Sequence, residues 1–149
     1  MIVTDHHRVP EVPPAALALV NPQRPDATYP DRRLAGSGVA LKVASLLLEQ
    51  LAGIPAAATI ADLADLAAIG TVADVAPILG ENRSIARIGL ERLRTAPRPG
   101  IAALLASARV DPASVTLETI AFVIAPRLNA AGRMGEAADA AALLLAATA

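Results

Sequence analysis

The sequence has no cysteine and no tryptophan, and one tyrosine, Tyr29, and one phenylalanine, Phe122, are its only Phe, Trp or Tyr side chains. Without thiols there can be no disulfide, no cysteine-bound zinc and no thiol nucleophile. Any metal centre must be built from histidines and carboxylates, and no oxidising compartment is needed, which fits a cytoplasmic location. So few rings also leave almost no platform for stacking unpaired bases. Lysine is nearly missing: of 13 basic residues only Lys42 is not arginine. This bias reflects either bidentate recognition of phosphate or the codon usage of a GC-rich genome. A net charge of -1 argues against coating nucleic acid through bulk positive charge and leaves a local basic groove open. No uncharged apolar run reaches the ~18 residues of a membrane helix, and the start lacks the pattern of a signal peptide, so no membrane partner is expected.

What is present is apolar and rich in alanine. At 149 residues and 54% hydrophobic content the chain can build one domain with a core, and the alanines point to helices. Its most distinctive stretch is Met1-Ile2-Val3-Thr4-Asp5-His6-His7. Four apolar or β-branched residues without alternation suit a strand covered on both faces in a parallel sheet, where ligands bind at the carboxyl ends of strands. On an extended chain His6 and His7 are expected to point to opposite sides, giving one metal ligand and one substrate contact.

Prolines from Pro10 to Pro14 separate this strand from a second one, Ala16 to Val20, closed by Asn21-Pro22. A polar loop is expected from Gln23 to Leu34. Gly36-Ser37-Gly38 then opens a helix that Gly53 and Pro55 stop; its glycines serve either phosphate binding or close packing. A second helix is expected to start at Thr59 as N-cap, with Asp62 completing a capping box, to be interrupted at Gly70-Thr71 and to run toward Asp74. Asp74 sits in an apolar run, as a buried carboxylate needing a partner or as a solvent-facing or helix-capping one.

Asn82 is expected to cap a third helix with Ile85, Ile88, Leu90 and Leu93 inside and Arg83, Arg87, Arg92 and Arg94 on a solvated face. A short helix follows from Ile101 to Ala108, and another begins at Thr116. Pro126 to Gly135 carries Arg127, Asn129 and Arg133 in apolar, glycine-punctuated surroundings, where they either await an anion or reach solvent from a kinked helix. Glu136 to Ala149 reads as a helix without a stop signal, as if the chain continued.

Asp5, His6 and Asp74 form a nitrogen-and-oxygen donor set suited to Mn²⁺ or Mg²⁺, a partial site by itself. Such an ion, with arginines to neutralise phosphate charge, outlines phosphoester hydrolysis. Ser37 or Ser45 could formally join a Ser-His-Asp triad, but neither lies in a nucleophile elbow.

Three segments carry a resemblance: Val3-Thr4-Asp5-His6-His7, Ile69-Gly70-Thr71-Val72-Ala73-Asp74-Val75, and Ala125-Pro126-Arg127-Leu128-Asn129-Ala130-Ala131-Gly132-Arg133-Met134. In this order they are similar to successive signatures of the RecJ single-stranded-DNA exonucleases of the DHH phosphoesterase superfamily. Val20-Asn21-Pro22, Leu34 to Ala40 and Gly80-Glu81-Asn82-Arg83 also resemble the family, so the likeness covers nearly the whole chain. It implies an α/β fold: the C-terminal part of a DHH-type parallel-sheet phosphoesterase domain, helix-rich here and running into a connecting helix. Residues 1–110 would be the second half of the catalytic domain, and residues 111–149 its helical end and the start of the connector.

Carried over residue by residue, the resemblance implies that His6 and Asp74 bind Mn²⁺ (or Mg²⁺), that Asp5 supports the site and that His7 contacts the scissile phosphate. Arg127, Asn129 and Arg133 would hold phosphates or organise that wall of the cleft. The implied reaction is 5′-to-3′ hydrolysis of single-stranded DNA to mononucleotides, in repair and recombination, by a monomeric protein. The family's upstream Asp-x-Asp motif and its downstream substrate-binding domain have no counterpart here, so the chain is expected to be a piece with an incomplete site and little activity alone. The alternatives are a noncatalytic fragment that self-associates, or a phosphatase of small nucleotides or pyrophosphate.

Overall fold

In a computed structural model, which describes residues 1–134 and 136–147, the opening β-branched residues form β1 (Ile2–Thr4). It pairs in parallel with β2 (Ala18–Val20), Val3 lying opposite Leu19. Two backbone bonds, Leu17 N–H to Met1 O (2.9 Å) and Asp5 N–H to Val20 O (3.0 Å), extend the ladder at either end. The expected cover on both faces is not found among the described residues. Ile2 is 63% exposed, and β2 is the one strand paired with β1 among the described residues.

Helix α1 (Gly36–Ala52) ends where expected, with Gly53 in the left-handed region at φ 66°. Helix α2 (Ala56–Ala73) departs from expectation at both marks. It begins at Pro55, not Thr59, since proline supplies an extended N-cap and Glu49 Oε1 accepts the free Ala56 N–H at 3.2 Å. Thr59 is buried inside the helix and its hydroxyl has no partner. Nor do Gly70 and Thr71 interrupt α2. A β-carbon at Gly70 would stand 2.6 Å from Ser37 Cβ, so the glycine lets α1 and α2 touch, and Thr71 Oγ1 returns its hydrogen bond to Ala67 O at 2.7 Å. By length and composition α2 could cross a bilayer, its mean hydropathy being 1.5. It packs instead between α1 and α3 (Gly80–Thr95) and carries Asp62 and Asp65 against arginines, which makes it a core helix.

Asn82 lies inside α3 rather than capping it. Fully buried, it accepts from Ala35 N–H and donates to Arg33 O and Pro77 O, sewing the loop before α1 to the start of α3. The solvated arginine face holds for Arg83, Arg87 and Arg94, whereas Arg92 is half-buried. Arg92 pairs with Asp62 at 2.7 Å and Arg94 donates to Val115 O at 2.7 Å. After α4 (Pro99–Ser107) and a 3₁₀ turn at Pro112–Ser114, Thr116 caps α5 (Leu117–Thr119) through a capping box with Thr119. This passes through a π-helical stretch, Ile120–Ile124, into α6 (Ala125–Met134). Helix α7 (Ala137–Leu145) stops at Ala146, whose ψ of 130° is not helical, so the expected run to Ala149 ends earlier. Gly135, Thr148 and Ala149, which belonged to expected segments, lie outside the described residues.

Two clusters make the core. Leu34, Val39, Leu41, Ala67, Ala68 and Ile85 join α1, α2 and α3, while Ile69, Leu93, Ile101, Leu105, Val115, Ile120 and Ile124 join the later helices to the far side of α2. Each fully buried Leu or Ile contributes about 1.5–3 kcal/mol, so α2 is held from both sides and its C-terminal end has a fixed place beside β1.

Candidate metal centre

The strand stops at Thr4 because Asp5 redirects the chain. Its Oδ1 accepts the N–H groups of His6 (2.8 Å) and His7 (3.2 Å) and the His7 Nδ1 at 2.8 Å, a turn of the kind that aspartate side chains impose on their own backbone. The expectation that His6 and His7 point to opposite sides is therefore wrong: period-two alternation needs an extended chain, and here the ring centroids are 4.2 Å apart. One donor atom from each of Asp5, His6 and His7 falls within 4.8 Å of the others, close enough for one ion. The bond from the His7 ring, helped by the two N–H groups, holds the Asp5 carboxyl below its usual range despite an opposing effect of burial.

Asp74 is the C-cap of α2, its N–H bonded to Gly70 O at 3.0 Å. It is not buried: its side chain is 42% exposed, and it faces His6, whose Nδ1 lies 3.6 Å from Asp74 Oδ2. The next residue, Val75, has φ 56°, a left-handed backbone unusual for a β-branched side chain, and so the chain leaves the helix abruptly after the carboxylate. Asp5 Oδ1 is already occupied by three donors, whereas His6 and Asp74 leave a gap between them. Nitrogen and carboxylate oxygen are donors that Mn²⁺ accepts, so the residues present fit a hard divalent ion.

Residues 1–71 match the DHH family, N-terminal domain. Over 149 aligned residues the chain is 44% identical to the single-stranded-DNA-specific exonuclease RecJ of Bacillus subtilis, with 97% of this chain and 17% of that protein covered. The RecJ of Thermus thermophilus in complex with Mn²⁺ superposes with a TM-score of 0.79 at 40% identity, covering 97% of this chain and 21% of that one. The same protein in complex with Mg²⁺ gives 0.74 at 39% identity and the same two coverages. The chain is thus RecJ-like over 97% of its length, with the DHH match in its first 71 residues. It spans about a fifth of the length of these relatives, 17% of the first and 21% of the second.

In this RecJ-like chain four of the residues singled out from sequence, Asp5, His6, His7 and Asp74, come together. Arg127, Asn129 and Arg133 are exposed on α6, and Arg127 donates to Val123 O at 2.9 Å. Asn129 lines a groove of about 420 Å³ with Phe122, Ala73 and Val75. Ala73 and Val75 flank Asp74 in the sequence, but Asp74, Arg127 and Arg133 are not among the residues that line this groove. Ser37 and Ser45 are spent on structure: Ser37 donates to Ala67 O and Ser45 to Lys42 O, both at 2.9 Å. Asn21, expected as a strand-closing turn residue in a family-like segment, was not among the expected site residues. Buried, it donates from Nδ2 to His7 O (2.9 Å) and accepts Gln23 N–H (2.8 Å), so it holds the histidine turn from behind. Its signals in the sequence were the Asn21-Pro22 pair at a strand end and the family-like Val20-Asn21-Pro22 segment.

Proposed function

We propose that the chain is a segment of a cytoplasmic, metal-dependent single-stranded-DNA exonuclease that hydrolyses phosphodiesters from the 5′ end. The observation that carries this is the approach of His6 to Asp74 beside the Asp5-fixed His7. His6 and Asp74 hold Mn²⁺ or Mg²⁺. The chemistry a bound ion supplies is polarisation of a phosphoryl oxygen and a lowered pKa for water. Asp5 fixes the His7 ring through Nδ1, and His7, 74% exposed on its side chain, contacts the scissile phosphate. Arg127 and Arg133 bind phosphates along α6, and Asn129 orients the strand at the groove. Residues 1–110 are the second half of the catalytic domain and residues 111–149 its helical end and the start of a connector. The identity to RecJ proteins, which spans 97% of the chain, favours this branch over phosphatases of small nucleotides.

The test is Mn²⁺ titration followed by electron paramagnetic resonance, together with binding of a fluorescent single-stranded oligonucleotide. Binding of one Mn²⁺ that is lost in His6→Ala and Asp74→Ala supports the reading; Mn²⁺ binding indifferent to both substitutions overturns it. The apolar residues Leu46, Leu47 and Leu51 on α1 are exposed, and through them the chain alone associates with a second copy. Light scattering that gives a monomer mass at all concentrations overturns that part.

A further inference from the structure

The Cγ, Cδ2 and Nε2 atoms of His6 lie against the first residue of α1. A β-carbon built on Gly36 would stand 2.9 Å from His6 Cδ2, 3.4 Å from Nε2 and 3.7 Å from Cγ. The first distance is shorter than packed carbons tolerate. The ring edge that meets Gly36 is the one away from Nδ1, and Nδ1 is the atom 3.6 Å from Asp74 Oδ2. We propose that Gly36 is a positioning residue: its bare backbone is the seat on which the His6 imidazole rests, and this contact aims Nδ1 at Asp74.

The backbone on both sides of the contact is held in place. The start of α1 is fixed by Ser37, whose hydroxyl donates to Ala67 O (2.9 Å) and lies 3.2 Å from Thr71 Oγ1. Ala35 N–H is held by the buried Asn82 Oδ1 at 3.2 Å. Ser37 is also the residue that fits against Gly70, four positions before Asp74 on the same helix. The seat for His6 and the carrier of Asp74 are thus clamped to each other, while Asp5 and Asn21 anchor the turn that bears His6. A side chain at position 36 must therefore rotate the imidazole, and the rotation takes Nδ1 off Asp74. A role for this aim in metal binding rests on the proposed His6 and Asp74 site; the contact itself does not.

The experiment is a double-mutant cycle between Gly36→Ala and His6→Ala, read by chemical denaturation, with Mn²⁺ binding measured for each folded protein. Gly36→Ala is expected to destabilise the wild type and to cost nothing in the His6→Ala background, where no ring remains to be struck. It is expected to weaken Mn²⁺ binding by about tenfold or more, the size of effect seen when a ligand loses its orienting partner. Equal destabilisation in both backgrounds, or Mn²⁺ affinity of folded Gly36→Ala within twofold of wild type, overturns the proposal. Should Gly36→Ala fail to fold, a nuclear Overhauser contact between His6 Hδ2 and Gly36 Hα in the wild type decides: its presence supports the seat and its absence overturns it. A wild type that binds no Mn²⁺ at His6 defeats the metal reading instead, and the cycle still tests the contact.

Discussion

His6 Nδ1 stands 3.6 Å from Asp74 Oδ2, which places the last turn of a core helix against the end of a strand. Neither group is buried deeply enough to demand the other, and an approach longer than a hydrogen bond leaves room for an ion between them. Asp74→Asn keeps the shape and removes the charge. It is expected to weaken Mn²⁺ binding by about tenfold or more while leaving the unfolding midpoint nearly unchanged, since the carboxylate is exposed. Calorimetric titration with Mn²⁺ beside a denaturation curve checks both halves.

Asn82 joins three backbone groups, Ala35 N, Arg33 O and Pro77 O, and is fully buried. Asn82→Ala leaves a buried amide and two carbonyls without these partners. At about 1–3 kcal/mol for an unsatisfied buried group, the expected loss is about 2–4 kcal/mol, visible as a lower urea midpoint with little change in slope.

These two residues mark what local pattern could and could not reveal. Gly53 and Pro55 stop α1 as read because helix termination is written in backbone preference alone. Asn82 looked like a cap because asparagine near a helix start usually is one; its real partners come from Arg33 and Ala35, which only the fold brings near. Gly70 looked like a break because glycine is disfavoured inside helices; the space it leaves is filled by Ser37 of another helix, which only the fold brings near. The four residues of the candidate centre were legible as chemical types, but the side on which His7 falls was not. That depended on Asp5 taking three hydrogen bonds and ending the strand, a local competition in which strand periodicity lost.

Asp65 is a fully buried carboxylate on α2, 3.0 Å from Arg98 Nε and 3.5 Å from Arg92 Nε. Removing one partner of such a pair leaves an uncompensated charge, at a cost of about 3–5 kcal/mol, whereas removing both can be nearly neutral. Arg98→Met is thus expected to cost about 3 kcal/mol, with Arg92 limiting the loss, and Asp65→Leu/Arg98→Met to recover most of it. Equilibrium denaturation of the two single variants and the double variant gives the coupling directly.

Asp31 supplies the pH dependence. Arg33 bonds its carboxylate from the side chain at 3.0 Å, and the N–H groups of Glu81 (3.0 Å) and Arg33 (3.1 Å) add to it. Together they bring its pKa from 3.8 to about 2. A carboxyl depressed in the folded state contributes stability that is fully present above the unfolded value. That contribution is lost as the pH falls from about 3.8 towards about 2, because over this interval the unfolded chain takes up the proton first. The bonded Glu81 also accepts the Tyr29 hydroxyl and pairs with Lys42, so protonating Asp31 loosens the junction of the loop, α1 and α3. Asp31→Asn is expected to be less stable than wild type at neutral pH and to lose less on acidification through that window, so that the two stability curves converge. Urea denaturation at a series of pH values checks the convergence, and parallel curves would assign the acid sensitivity to other carboxylates.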